Sequence, residues 1–187
     1  ELGESTALAR MQALSEVPPV WIRVNLLRTT REVVATALRG AGVELEESEH
    51  PRFLLARRIG RELSSLPGYA EGHWAVQDLT SFEAVELAAP QPGDRVLDVG
   101  SGSGFTTGLL WAMGATVDAL ELEPELARRS TETLAALGVE ADVRAGDGWA
   151  GWPEPQRYDG ILVSAAADRV PSALLEQLAE GGRMVLP

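Results

Sequence analysis

VLDVGSGSGFTTGLL, residues 96–110, decides how the rest of the chain is read. Val96-Leu97-Asp98-Val99 is short and apolar, which predicts a strand buried on both faces of a parallel sheet. Gly100, Gly102 and Gly104 follow on alternate positions. Phe105-Thr106-Thr107 then opens an apolar helix that stops near Gly114. A strand, a glycine-rich turn and a helix, in that order, hold a nucleotide-type cofactor in an open α/β sheet. Residues without a Cβ let the backbone turn sharply and let a ligand lie against it.

The glycine spacing narrows the ligand. A dinucleotide fingerprint needs a third glycine where this chain has Phe105 or Thr107. The form here is D-x-G-x-G-x-G, which suits a ligand without a pyrophosphate, such as S-adenosylmethionine (SAM). A glycine-rich turn that binds nothing would have the same spacing, so the residues further along decide between the two. Glu121 lies at the end of the second strand, where an acid can accept hydrogen bonds from both ribose hydroxyls. Asp147 ends the third strand in a Gly146-Asp147-Gly148 turn and can accept from an adenine amine. An Asp in such a turn can equally well satisfy its own loop. Asp98 is expected to order the glycine loop or to meet the cofactor's ammonium. Ser101, Ser103, Leu122 and Ser164 complete the expected cofactor-binding set.

Composition sets the outer limits. The chain has 187 residues and is 45% hydrophobic, enough for one large or two small cores. No apolar run approaches the ~20 residues of a membrane span. The opening ELGESTALARMQ lacks the apolar core of a signal peptide, so a cytoplasmic protein is expected. A start at Glu1 rather than Met reads as a fragment or a trimmed chain. With no cysteine there is no disulfide, no thiolate zinc site and no cysteine nucleophile. No metal-ligand spacing is present. His50 is expected at the surface and His73, beside Trp74, in a structural role.

Net charge is −12, and all 16 basic residues are arginine. An acidic chain is a poor general binder of nucleic acid. Only a local patch could bind RNA, and Arg52, Arg57, Arg58 and Arg61 form the candidate. A solvated arginine face is the plainer reading of the same four residues.

Around the central stretch the chain reads as two parts. Residues 1–16 predict a helix that ends at Pro18-Pro19. Val20–Asn25 predicts a strand. Thr29 and Glu32 have capping-box spacing and start a helix whose apolar side is Val33, Val34, Ala37 and Leu38, with Gly40 as its terminal glycine. Val43–Leu45, Phe53–Ala56 and Trp74–Asp78 predict further strands, and Ser81–Ala89 a helix. Beyond Gly114 come strands at Thr116–Leu122, Ala141–Ala145, Tyr158–Ser164 and Arg183–Leu186. Helices lie between, from Pro124 to Gly138 and from Pro171 to about Glu180. This predicts a small N-terminal α+β subdomain over residues 1–78. A Rossmann-like, doubly wound parallel sheet follows over residues 79–187. Trp149 and Trp152 flank the Asp147 turn and are expected to cap the pocket rim.

Several pieces carry a resemblance. VGSGSGF, ALELEPELARRS, AGDGWAGWPE, YDGILVSAAA and VPSALLEQLAEGGRMVLP resemble a protein-L-isoaspartate O-methyltransferase over about residues 98–187. The resemblance implies a class I methyltransferase with SAM as cofactor and methyl transfer to the carboxylate of a damaged aspartyl residue in a protein. It implies Gly100, Gly102 and Gly104 under the cofactor, Glu121 on the ribose and Asp147 on the adenine. The family carries a Thr-Ile-Ser segment at the reacting centre. Its nearest match here is Leu79-Thr80-Ser81, which makes Thr80 and Ser81 the candidate catalytic hydroxyls. The closing strand pair of this class does not follow the fifth strand in this sequence.

Residues 18–97 instead resemble RNA cytosine-5 methyltransferases of the Sun/Fmu type, on PPVWIRVN, the helix ending in RGAG, LPGYAEGHWAVQD and LAAPQPGDRVLD. In that family this half is an RNA-handling extension. The two resemblances meet near residues 97–100, as in a natural mosaic or a designed chimera. Cytosine-5 methylation needs a thiolate to add to the ring, which a cysteine-free chain lacks. The alternative function is therefore a SAM-binding, RNA-associated module, or a chimera without turnover.

Overall fold

The computed structural model describes residues 19–46, 48–165 and 169–186. The helix expected over residues 1–16 lies outside them. The chain divides into two compact units between Leu79 and Thr80.

The first unit is a four-stranded antiparallel sheet in the order β2-β3-β1-β4. Its elements are β1 (Val20–Val24), α1 (Arg31–Gly40), β2 (Glu44–Glu46), β3 (Phe53–Arg58) and β4 (Trp74–Val76). Strand alternation sends Ile22, Val24, Leu54 and Ala56 to one face, where they pack with Val34, Leu38 and Trp74.

Helix α1 starts one residue later than its capping box predicts. The Thr29 amide is bonded to the Asn25 carbonyl at 3.1 Å, so Thr29 belongs to the preceding turn. Thr30 is the cap instead, and its hydroxyl accepts from the Val33 amide at 3.4 Å. Val34, Ala35 and Leu38 are buried while Val33 faces solvent. The positive-φ glycine after this helix is Gly42, at φ 84°, rather than Gly40.

His50 packs its ring edge against Phe53, with centroids 5.0 Å apart, and so does not stand free at the surface. Arg57 and Arg58 are successive on β3 and project to opposite faces. Arg57 pairs with Glu46 at 2.9 Å.

The second unit opens with helix α2 (Leu79–Ala88). Its elements are β5 (Arg95–Val99), α3 (Phe105–Ala112), β6 (Thr116–Glu121), α4 (Pro124–Ala136), β7 (Ala141–Ala145), β8 (Tyr158–Val163), α5 (Ser172–Gln177) and β9 (Leu178–Val185). All strand pairs are parallel, in the order β7-β6-β5-β8-β9. The sheet is buried on both faces. Leu97, Val99, Ile161 and Val163 pack with Trp152 and Leu174 on one side. Val96, Val117 and Leu162 pack with Val85 and Leu110 on the other. This two-sided burial is why Val96–Val99 carries no alternation of apolar and polar residues.

Two expectations here are corrected. Helix α5 ends at Gln177, and β9 begins at Leu178 rather than Arg183. Leu178 pairs with Tyr158, and the register then shifts before Gly160 meets Arg183. Gly181, at φ 78°, lies in the extra length that the shift absorbs. Trp152 is 3% exposed and belongs to the core, so it does not cap a rim.

At the end of the sheet where the strands begin, a polar cluster joins three of them. Arg95 donates through Nε and Nη2 to one Asp118 oxygen at 3.0 and 2.7 Å, and the Tyr158 hydroxyl donates to the same oxygen at 2.9 Å. Burial and the Asp118 carboxylate push the Tyr158 phenol well above its ordinary range. Among the described residues, no helix is long and apolar enough to cross a membrane.

Candidate cofactor-binding and active site

The order of the sheet reverses between β5 and β8, and ligands in open α/β sheets bind at the carboxyl ends of the strands beside such a point. A cavity of about 360 Å³ lies there. The ends of β5, β6 and β8 and the turn after β7 line it with Val99, Gly100, Glu121, Asp147, Gly148 and Val163. Leu122, Gly146, Trp149, Ala165, Pro171 and Leu174 complete its wall together with Leu120.

Backbone bonds hold these strand ends in place. The Gly100 amide donates to Leu120 O at 2.8 Å, the Gly146 amide to Glu121 O at 2.9 Å, and the Ser164 amide to Val99 O at 2.8 Å. Gly100 has φ 80°, a conformation that strains any residue with a Cβ, and a Cβ there would lie 3.2 Å from that of Ala165. Gly148 is required for a different reason: a Cβ on it would overlap Val99 Cγ1.

Glu121 is 8% exposed, and two backbone amides orient its carboxylate. Gly102 N–H donates to Oε2 at 2.7 Å and Glu123 N–H to Oε1 at 3.0 Å. The acid therefore ties the glycine loop to the end of β6. Each oxygen keeps a further lone pair for a ligand hydroxyl. Asp147 accepts from the Trp149 amide at 3.0 Å and caps the short 3₁₀ turn Gly148–Ala150. It thus satisfies its own loop and lines the cavity at once.

Asp98 stands one residue before Val99 on β5 and is not itself part of the cavity wall. It is fully buried, Thr107 Oγ1 donates to its Oδ2 at 2.6 Å, and its Oδ1 has no hydrogen-bond partner. Burial raises its pKa to about 6. The Thr107 hydrogen bond opposes that rise, and the nearby Glu121 charge adds to it. Ser101 Oγ is also buried without a partner.

Of the residues singled out in the sequence, Gly100, Glu121, Leu122, Gly146, Asp147 and Gly148 share the cavity wall. Asp98, Ser101, Gly102, Ser103, Gly104 and Ser164 are not part of it. Gly102 reaches it only through Glu121. Gly104 instead brings the start of α3 against α4, where a Cβ would overlap Ser130 Oγ. Thr80 and Ser81 are exposed in the first turn of α2 and do not line the cavity.

Gln177 went unnoticed in the sequence. Its Nε2 donates to Trp152 O at 2.7 Å, and its Oε1 accepts from Trp152 N at 2.8 Å. The amide copies a strand partner and pins the segment that carries Gly148 and Trp149. Gly151 makes room for it, since a Cβ would lie 2.6 Å from Oε1. Gln177→Met keeps the volume but strands both Trp152 backbone groups. It is expected to cost about 2 kcal/mol of stability, read from urea unfolding followed by tryptophan fluorescence.

A parallel sheet with a glycine turn, a strand-end acid and a second acid on one hollow defines a Rossmann-like nucleoside-cofactor domain. Its family is specific. Residues 75–187 match the family model for protein-L-isoaspartate(D-aspartate) O-methyltransferase, and the chain belongs to that family. Residues 2–55 match the ferredoxin-like domain of RsmF/B-like methyltransferases.

Among curated relatives, the protein-L-isoaspartate O-methyltransferase of Methylorubrum populi is 50% identical over 103 residues, covering 55% of this chain and 49% of that one. The enzyme of the same name from Halorhodospira halophila is 38% identical over 173 residues, covering 84% and 76%. The chain spans about half the length of the first of these relatives.

The fold is shared with NSun6 from Pyrococcus horikoshii, solved with SFG, at a TM-score of 0.75 and 16% identity over 98% of this chain and 79% of that one. A solved protein-L-isoaspartate O-methyltransferase matches at a TM-score of 0.55 and 22% identity, covering 84% and 55%.

Proposed function

We propose that this chain binds SAM in the cavity at the ends of β5, β6 and β7 and transfers its methyl group to a peptide carboxylate of the isoaspartyl type. The observation that carries the reading is the placing of Glu121 and Asp147 on one cavity whose wall includes Gly100 and Gly148. The residues fit an adenosyl group. Glu121 would hold the ribose, Asp147 the adenine amine, and the unpartnered Asp98 Oδ1 would supply negative charge under the amino-acid end. When bound, SAM supplies a methyl on a positively charged sulfur, which leaves as the neutral thioether.

The chain's own task is positional. A carboxylate acceptor is already ionised at pH 7, so no base is required. What accelerates the transfer is alignment of the attacking oxygen with the carbon–sulfur bond and removal of water between them. Thr80 and Ser81 are assigned to the acceptor side by resemblance, as hydroxyl donors to the peptide. Leu122 and Trp149 supply apolar wall at the cavity.

The test is methyl transfer from labelled SAM to an isoaspartyl peptide and to its aspartyl isomer. The expected product is a base-labile methyl ester on the isoaspartyl peptide alone. Binding of S-adenosylhomocysteine without labelling of either peptide would reject the acceptor and leave the cofactor.

A second reading is RNA association through the first unit. The match of residues 2–55 to an RsmF/B-like ferredoxin-like domain favours it. Cytosine-5 chemistry is outside its reach, because the sequence holds no cysteine. Label transferred to transfer or ribosomal RNA would favour this reading over the first.

A further inference from the structure

We infer that Arg169, laid over the ring of Trp149, is a specificity residue that binds a second carboxylate on the acceptor peptide, distinct from the one that takes the methyl. The inference rests on the acceptor reading above and deepens it. Arg169 lies between Ala165 and Pro171, both of which line the cavity. Its guanidinium carbon stands 5.5 Å from the centroid of the Trp149 ring, and Trp149 is itself part of the cavity wall. Both side chains are open to solvent, Trp149 at 40%.

Arg169 differs from the ion-paired arginines in lying over an aromatic ring of the cavity wall. The chain has 28 carboxylate side chains against 16 arginines, so ion pairs are easily found. Arg128 and Arg144 each bridge two acids. Arg169 makes no hydrogen bond or ion pair with any described residue. It is held by an aromatic face instead. A cation over an aromatic face is attracted to the ring and keeps its N–H donors available to a ligand. The planar fork of guanidinium donors matches the two oxygens of a carboxylate, and a side chain already resting on a ring loses less freedom on binding one.

The charge of the cavity points the same way. Among the described residues, its ionisable lining groups are Glu121 and Asp147, which suit hydroxyls and amines and repel an anionic peptide. A cation at the mouth offsets that repulsion for the acceptor. It does not suit the reacting carboxylate, because an ion pair would draw electron density from the oxygen that must attack. The partner is therefore a second carboxylate. Two sources share this chemistry: an acidic side chain beside the damaged residue, and a free peptide C-terminus.

The experiment compares kcat/KM for isoaspartyl peptides in labelled-SAM assays. One pair carries Glu or Gln next to the isoaspartyl residue. A second pair has a free or an amidated C-terminus. The protein is expected to prefer the charged member of one pair about fivefold to tenfold, in the range of an exposed, charge-assisted contact. Arg169→Gln should bring that ratio close to one, with the loss carried by KM. Trp149→Leu, which removes the platform but keeps the cation, should lower the ratio part of the way. The affinity of the same variants for S-adenosylhomocysteine, by calorimetry, separates acceptor effects from cofactor effects.

A ratio that survives Arg169→Gln overturns the inference, as does an unmodified protein that methylates all four peptides equally well. A protein that binds S-adenosylhomocysteine yet methylates none of them overturns the acceptor reading itself, and the inference with it.

Discussion

Glu121→Ala is expected to weaken S-adenosylhomocysteine binding by more than roughly 100-fold, measured by titration calorimetry. Two losses add. The first is the pair of charge-assisted bonds to the ribose hydroxyls that the proposed function assigns to Glu121, each in the range of about 1.5–3 kcal/mol when buried. The second is the bracing of the loop, since Gly102 and Glu123 donate to the same carboxylate at 2.7 and 3.0 Å. Glu121→Gln separates the two. It keeps the size and one acceptor oxygen but turns an NH₂ group toward one of those amides, so it should also bind weakly while unfolding at a denaturant concentration nearer the parent's. An alanine variant that binds as the parent does would remove Glu121 from the ribose and leave it a purely local brace.

Asp98 carries the second large effect. Its folded-state pKa, about 6, lies above the ordinary value of 3.8. Between pH 4 and pH 6 the native state therefore holds a proton that the unfolded chain has released, and stability falls as pH rises through that window. Above pH 6 both states are ionised, and the folded state bears the whole cost of a buried charge, ~3 kcal/mol for a shift of this size. Below pH 4 both states are neutral and the cost is gone.

Asp98→Asn has no such dependence. Thr107 can still donate to the amide oxygen, while the NH₂ group takes the place of the partnerless Oδ1 and bears a penalty of its own. The stability difference between variant and parent should thus swing by ~3 kcal/mol in favour of the variant from about pH 3 to pH 7. Denaturant titrations across that range check it, and a flat difference would refute it. The variant should be the poorer binder even where it is the more stable protein. On the proposed function, the buried charge is a cost to folding that the ammonium of a bound cofactor would offset.

These two residues also mark what a sequence can and cannot convey. The strand, glycine turn and helix at 96–112 were legible because burial on both faces erases alternation, and a nearly all-apolar run before spaced glycines has few other readings. Glu121 was legible because strand spacing places it at the end of β6. The arrangement under Asp98 was not, since its link to Thr107 crosses from strand to helix and depends on how the loop closes.

Other misses have similar causes. Trp152 looked like a rim residue because it flanks the Asp147 turn, yet the chain folds back after the short 3₁₀ turn and buries it. Gln177 looked like an ordinary polar helix residue, since nothing local announces that its amide will pair with a backbone 25 positions away. The early end of α5 was hidden in the same way, because the pairing of Leu178 with Tyr158 is settled across the sheet and outweighs local helix preference. Thr29 and Thr30 are adjacent and both able to cap, and the turn from Asn25 chooses between them.

The overlap that any side chain at position 148 would make with Val99 has a practical corollary. The hollow cannot be reshaped at the turn that carries Gly148 alone, because that turn already rests on Val99. Whoever re-engineers this pocket for a bulkier sulfonium donor should vary positions 99 and 148 jointly, shrinking the valine before adding anything to the glycine.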